Sequence, residues 1–284
     1  MDFSVVVVTY NSRPHIAECL RSLDRARAGL AMEVFVVDNA SADGTLDEVR
    51  ASAPWARIVE MGDNCGYARA VNRGIRESVG EFVVALNPDL TVAADAFAVL
   101  HRWMREHPGC GIAGPRLVDS DGRAEFSGRA FPTPTAFLFN RYSLATRLWP
   151  GNPWTRRYLL SDWDRSTDRT VDWLSGACMF VRRAAIEAVG GMDETYFMFN
   201  EDVDWCHAMK LGGWTVDFVA GASVMHRVGS SRGTPSKRVV LERHRGMIHY
   251  FRKYHPTNPL LGALVAAFIM ARAHVMLAAG AVRR

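Results

Sequence analysis

The chain has 284 residues, of which 49% are hydrophobic, 23% charged and 10% aromatic, a balance that excludes disordered, collagenous and disulfide-stapled chains and allows a full-sized core. Its 34 lysines and arginines against 30 acids give a net charge of +4, which suits an anionic substrate or a lipid surface and makes no demand for nucleic acid. The five cysteines, Cys19, Cys65, Cys110, Cys178 and Cys206, form no CxxC pair or zinc spacing, so a reduced, cytoplasmic compartment fits them best.

Met1-Asp2-Phe3 leads into a valine run with no basic stretch ahead of it, which predicts neither a signal peptide nor an anchor there. Ser4–Val8 reads as a strand buried on both faces of a parallel sheet. Asn11-Ser12-Arg13-Pro14 offers a polar cap and an early-turn proline, and Ile16, Cys19, Leu20 and Leu23 recur at helical spacing. The unit repeats. Val34–Val37 is a second strand, followed by the polar loop Asp38–Thr45 and a helix containing Leu46 and Val49. Ile58–Met61 precedes a helix over Tyr67–Ser78, and Phe82–Leu86 precedes Asn87-Pro88-Asp89. Strands alternating with helices predict an α/β fold with a doubly wound, mostly parallel sheet. Ligands of such sheets collect outside the carboxyl ends of the strands, so the polar clusters after each strand should line one rim.

The second half reads differently. Leu117–Phe126 resembles a hairpin across Ser120-Asp121-Gly122, and Phe131–Arg169 is rich in Pro, Trp and Arg without periodicity, as an insertion over the site would be. Strands resume at Val171–Val181 and Trp214–Phe218, with a helix around Val203–Leu211 stopped by Gly212-Gly213. Lys237–Tyr254 reads as a basic helix and Leu260–Val282 as an apolar one. The domain reading is 1–235 for the main α/β unit, divided near 112, and 236–284 for a C-terminal helical appendage.

The first βα turn, Val8–Arg13, contains no glycine, which argues against a GxGxxG dinucleotide site. No Walker A sequence and no GxSxG elbow occur either. What does occur is an ordered set: Val5-Val6-Val7-Val8-Thr9-Tyr10-Asn11-Ser12, Val37-Asp38-Asn39-Ala40-Ser41-Ala42-Asp43-Gly44-Thr45, and Asn64-Cys65-Gly66-Tyr67-Ala68-Arg69-Ala70-Val71-Asn72-Arg73-Gly74. Leu86-Asn87-Pro88-Asp89, Trp173-Leu174-Ser175-Gly176 and Asn200-Glu201-Asp202-Val203-Asp204-Trp205 follow. Together these resemble the inverting glycosyltransferases of family 2, with their GT-A fold, up to about Ser231. The likeness is closest to bacterial rhamnosyltransferases that use a dTDP-sugar and a polyprenyl-diphosphate-linked acceptor, and Trp149-Pro150-Gly151-Asn152-Pro153-Trp154 belongs to it.

The resemblance implies a nucleotide-sugar site built from Thr9, Tyr10, Asn11, Asp38, Asn39, Asn64, Gly66, Arg69 and Asn87. Asp38 would accept from the base imide, or else serve as a turn carboxylate; Arg69 would reach ribose or phosphate, or else stay solvated. Asp89 falls where the family has its metal-binding Asp-x-Asp, but Asn87 stands in the first acidic position, so one carboxylate is lost. Mg²⁺ or Mn²⁺ can bind through one or two protein oxygens plus diphosphate and water. His226 is the further candidate ligand, with a structural histidine as the alternative.

In Glu201-Asp202 the resemblance assigns the general base to Asp202, with helix capping as the competing use of these acids and of Asp204. Trp173, Ser175 and Gly176, with Arg227 and Arg232, are the acceptor-side candidates. The aromatic residues there could equally be core. Arg272 and His274 interrupt the apolar stretch Leu260–Val282, which therefore reads as an interfacial helix beside basic Arg243, Arg245, Arg252 and Lys253. Packing on the enzyme or on a second copy is the alternative. The expected function is transfer of L-rhamnose to a lipid-linked sugar in cell-envelope polysaccharide synthesis, at the inner face of the cell membrane. The rivals are another hexose from a UDP- or GDP-sugar and a non-catalytic sugar-nucleotide binder.

Overall fold

A computed structural model describes residues 1–27, 29–133, 146, 148–227 and 236–282. The first half alternates β1 (Phe3–Thr9), α1 (Arg13–Ala26), β2 (Met32–Asp38), α2 (Thr45–Ser52), β3 (Arg57–Glu60), α3 (Tyr67–Glu77) and β4 (Phe82–Leu86). β1 pairs in parallel with β2 and β4, and β2 with β3. Every residue of β1 and β4 is buried, as expected of strands covered on both faces. Asn11-Ser12 does not cap α1 through the Ser12 side chain. Asp43, from the loop after β2, accepts from Arg13 N at 3.1 Å instead, so the first two βα turns are stitched together.

The sheet continues into the second half through β5 (Leu90–Val92), β6 (Cys110–Val118), β8 (Arg169–Thr170), β10 (Cys178–Arg182) and β11 (Thr215–His226), with α4 (Ala96–Glu106) after β5. The order is β3-β2-β1-β4-β10-β6-β11-β5, with β8 on β11. β10 runs antiparallel to β4 and β6, β11 is parallel to β6, and β5 is antiparallel to β11. A two-stranded sheet of β7 (Gly128–Arg129) and β9 (Trp173–Leu174) lies beside it. The stretch Val171–Val181 is therefore two strands, broken at Ser175–Ala177. Leu117–Phe126 does reverse direction, with Glu125 N bonding Leu117 O at 2.8 Å, but its ladder is the single bridge Val118–Ala124. Within the proline-rich stretch, Pro153–Leu159 forms α5, capped by Asn152.

Alternate residues of β1 feed two cores. Phe3, Val5 and Val7 pack with Leu20, Leu23, Phe97 and Leu100 on one face of the sheet. Val6 and Val8 pack on the other with Val71, Trp205, Met209 and Tyr250, drawn from α3, from α7 (Glu201–Leu211) and from α8 (Lys237–Tyr254). α6 (Arg183–Val189) completes that layer, and α9 (Pro259–Val282) folds back on α8. α9 buries Ile269 and Ala273, while Leu260, Leu261, Leu264, Phe268, Val275 and Met276 stay exposed.

α8 is anchored to the loop and helix that carry Glu201 and Asp202. Lys253 Nζ lies 3.0 Å from Asp193 and 2.9 Å from the buried Asp204, and His249 Nε2 is 3.1 Å from Asp193. Burial pushes the Asp193 carboxyl up, but hydrogen bonds from His249, Thr195 and Lys253 outweigh it and hold the group well below the usual aspartate range. A depressed carboxyl stabilises the fold above its unfolded pKa and loses that contribution as pH falls through the folded one. The stability gap between wild type and Asp193→Asn is thus expected to be full above about pH 4 and to shrink with further acidification. Lys253→Met, which leaves buried Asp204 without its cation, should cost about 1–2 kcal/mol at neutral pH; urea denaturation at a series of pH values measures both.

Candidate active site

The carboxyl ends of β1 and β2 form one wall. Thr9 Oγ1 donates to Asp38 Oδ1 at 2.8 Å, and Ser41 donates to the same carboxylate from its hydroxyl at 2.5 Å and its amide at 2.9 Å. Asp38 is buried, with three of about four acceptor positions used, so it is a turn carboxylate with one position left over. Tyr10 stands exposed beside it, and Asn11, in the left-handed region, accepts from Ala42 N at 2.9 Å. Asn39 is buried and donates to Gly66 O at 3.3 Å, while Asn64 Oδ1 accepts from Gly66 N at 3.3 Å. Arg69 projects into solvent and meets Glu194 at 3.6 Å.

Gly66 has φ +95°, and a Cβ there would lie 2.5 Å from Phe197 O. Only glycine lets this loop seat against Phe197, whose carbonyl accepts from Tyr67 N at 2.8 Å. The chain after Phe197 then turns through two left-handed residues, Phe199 (φ 67°) and Asn200 (φ 71°), into α7. Such backbone costs about 1–3 kcal/mol per residue and persists only where neighbours hold it. Asn200 is held by Arg243 O at 3.3 Å, and α8 approaches it closely because Gly246 has no Cβ.

That turn presents three acids in the first turn of α7, and their surroundings separate them. Asp204 is buried and spent on Tyr196 Oη at 3.0 Å and Lys253. Glu201 is buried, and its Oε2 has no partner. Burial and then the charge of Asp202 raise its carboxyl above the usual range. Asp202 alone keeps contact with solvent. It accepts from Gly176 N and from Val203 N, each at 2.9 Å. Burial also raises Asp202, against those two donors and the charge of Arg129.

Gly176 is the hinge of the other wall. Its carbonyl accepts from Tyr67 Oη at 2.9 Å, and a Cβ on it would sit 3.1 Å from Asp202 Cβ. Burial, and then the charges of Glu201, Asp202 and Asp89, raise the Tyr67 hydroxyl well above its usual range. Ser175 N bonds Ser127 O at 2.8 Å. Trp173 is buried, bonded to Ala130 O at 2.8 Å, and carries the Arg129 guanidinium 4.8 Å from its ring centroid. Arg227 is exposed, with its amide on Asp89 O at 3.1 Å. Arg232 lies outside the described residues.

Asp89 is brought to His226 by the pairing of Leu90 with His226. His226 Nε2 is 3.6 Å from Asp89 Oδ2, and Nδ1 is 3.2 Å from Glu125 Oε2. Burial lowers the imidazole, but its bonds to the two carboxylates prevail and push it up to about 9. Asp89 Oδ1 and Glu125 Oε1 are buried without partners. Asn87 gives its amide to Ala177 O at 2.8 Å. Among the described residues no three His, Cys, Asp or Glu side chains converge on one metal position, so the protein offers the pair Asp89 and His226. Tyr67, Glu125 and Arg129 were not anticipated from the sequence.

Comparison with solved structures gives the class. A mannosyltransferase from Pyrobaculum calidifontis, solved with GDP-Man and Mn²⁺, matches 99% of this chain and 75% of its own with a TM-score of 0.60 at 21% identity. GalNAc-T7 with UDP, GalNAc and Mn²⁺ matches 87% of this chain and 47% of its own, with a TM-score of 0.59 at 15% identity. The fold is GT-A. The family model for glycosyl transferase family 2 matches residues 4–190. An N-acetylglucosaminyl-diphospho-decaprenol L-rhamnosyltransferase of Mycobacterium tuberculosis is 33% identical over 88% of this chain and 84% of its own length. Rhamnosyltransferase WbbL of Escherichia coli is 37% identical over 60% and 61%. The chain belongs to glycosyl transferase family 2 and is a glycosyltransferase.

Gly176→Ala, which presses on Asp202 and its amide contact, is expected to lower the transfer rate about tenfold or more, with a stability cost of about 1–3 kcal/mol. Initial rates beside a thermal melt check both; full activity would mean that the Gly176 contact does not hold Asp202 in place.

Proposed function

We propose that the enzyme transfers L-rhamnose, with inversion, from dTDP-rhamnose to a polyprenyl-diphosphate-linked sugar. The observation that carries the mechanism is Asp202, the one solvent-accessible acid of its helix turn, held by the Gly176 amide at 2.9 Å. The transferred sugar and the acceptor class follow the name of the mycobacterial relative, which aligns with 88% of this chain, and the dTDP donor follows the motif resemblance.

Residues 1–112 hold the donor and 113–235 the acceptor. Thr9, Tyr10 and Asn11 line the base and ribose beside Asp38, whose remaining lone pair takes an imide N–H. Asn39, Asn64, Gly66 and Asn87 shape the loops behind the sugar and diphosphate, and Arg69 exchanges Glu194 for phosphate. Asp89 and His226 are a hard oxygen and an imidazole, a donor pair that suits Mn²⁺ or Mg²⁺ and favours Mn²⁺; the unpartnered Asp89 Oδ1 is free for it. A cation held there supplies Lewis-acid neutralisation of the leaving diphosphate.

The chemistry is a single displacement. The acceptor hydroxyl attacks the anomeric carbon as the bond to the diphosphate breaks, and Asp202 takes the hydroxyl proton. Its raised pKa fits a base, and the charge of Arg129 and the amides of Gly176 and Val203 favour its ionised form. Ser175, Gly176 and the Trp173–Arg129 pair form the acceptor wall, and Arg227 and Arg232 meet phosphate.

Asp202→Asn is expected to keep the melting temperature and donor affinity while transfer falls at least about 10²-fold. Asn preserves the size and capping of Asp, so a rate near wild type would remove Asp202 as the base. In that case a dead Glu201→Gln variant would move the role to its neighbour. Release of dTDP from dTDP-rhamnose, but not of UDP or GDP from their sugars, identifies the donor.

α9 supports a peripheral station on the inner face of the cell membrane. Pro259–Ala279 has a mean hydropathy of 2.0 with 11% buried, and the adjoining α8 carries the exposed Arg245 and Arg252. Apolar area and basic flanks add in interfacial binding. Removing residues after Tyr254 should abolish co-sedimentation with anionic liposomes and leave donor binding intact. Equal sedimentation of both forms would reassign α9 to packing, on this chain or on a second copy.

A further inference from the structure

The turn at Asp119–Gly122 returns the chain so that Glu125 stands beside the end of β11, 101 residues away in sequence from the histidine it meets. Two rings of contact then close on one imidazole: Glu125 Oε2 at 3.2 Å from Nδ1, and Asp89 Oδ2 at 3.6 Å from Nε2. The nitrogens face different carboxylates, so Asp89 and Glu125 cannot both share a cation with Nε2; Glu125 acts through the ring. Its own backbone is fixed by the Leu117 carbonyl at 2.8 Å, and its side chain is only 25% exposed.

We propose that Glu125 is a positioning residue for the metal site: by accepting the Nδ1–H of His226 it fixes the tautomer whose Nε2 lone pair faces Asp89. This rests on the reading of Asp89 and His226 as ligands. A carboxylate behind a ligating histidine orients the ring and raises its basicity as a donor. Such support matters more here than in a site with two aspartates, because Asn87 offers only a neutral oxygen and the pair Asp89–His226 has to hold the cation.

The test uses the full chain and Mn²⁺ alone, followed by water-proton relaxation for affinity and by electron spin-echo modulation for directly coordinated imidazole nitrogen. Wild type should bind with nitrogen modulation, and His226→Ala should lose the modulation. Glu125→Ala should bind 10–100-fold more weakly, the range found for outer partners of metal ligands, with diminished modulation. Glu125→Gln keeps an acceptor for Nδ1–H and should recover most of the modulation, which a purely structural role of Glu125 does not predict. If His226→Ala loses the nitrogen signal while Glu125→Ala and Glu125→Gln match wild type in affinity and modulation, Glu125 has no such role. If Asp89→Ala and His226→Ala bind as wild type does, the ligand reading fails and takes the inference with it. Melting curves of all variants identify any that are unfolded, and the Gln variant, nearly isosteric, carries the test should the Ala variant be one.

Discussion

The antiparallel pairing of three residues of β5 with the end of β11 is the constraint on which the metal side of the site depends. It sets Leu90 opposite His226, which puts Asp89, one residue before the strand, against the imidazole. It also turns the chain after Asn87-Pro88-Asp89 away from the parallel direction of β4, so the polar tripeptide stays at the rim and does not continue into the core. Without that short strand the two candidate ligands belong to separate edges of the fold.

A second constraint joins the halves of the molecule at Gly176. Its amide serves Asp202 and its carbonyl serves Tyr67, so one residue links the helix that opens at Tyr67 to the helix that carries Asp202. The contact with Asp202 needs close approach, since a Cβ at Gly176 would lie 3.1 Å from Asp202 Cβ. The strained turn at Phe199–Asn200 is affordable because Gly66, Gly246 and the Arg243 carbonyl pack around it. Orientation of Asp202 thus rests on backbone contacts that no single side chain supplies.

The sequence made the first half legible for a physical reason. Val5–Val8, Val34–Val37 and Phe82–Leu86 are continuous apolar runs because both faces of their strands are covered, and the polar loops after them end at the rim. Asp202 stood out because an acid pair opens a helix and the ordered motifs ahead of it resemble those of the family. β5 and α4 escaped notice: three residues are too few for a period, and α4 follows without a distinctive cap. Tyr67, Arg129 and Glu125 were invisible for a different reason. Their roles come from partners distant in sequence, Gly176 for Tyr67, Trp173 for Arg129 and His226 for Glu125, contacts that only the closed sheet creates. The break at Ser175–Ala177 was likewise hidden, since apolar residues on both sides of it suggest one strand.

The docking of α8 has a mechanical corollary. A helix of 18 residues is a rod about 27 Å long, pinned near its start by the Asn200 amide on Arg243 O and near its end by Lys253 on Asp193 and Asp204. α9 pulls on the far end of that rod through a short link. A tilt of α9 against the sheet would therefore be felt at the lysine's two ion pairs, beside the His249 contact to Asp193 and the Tyr254 hydroxyl on Asp204 O. Asp204 sits two residues from Asp202 on the same helix, so the apolar α9 is coupled through α8 to the turn that holds that carboxylate.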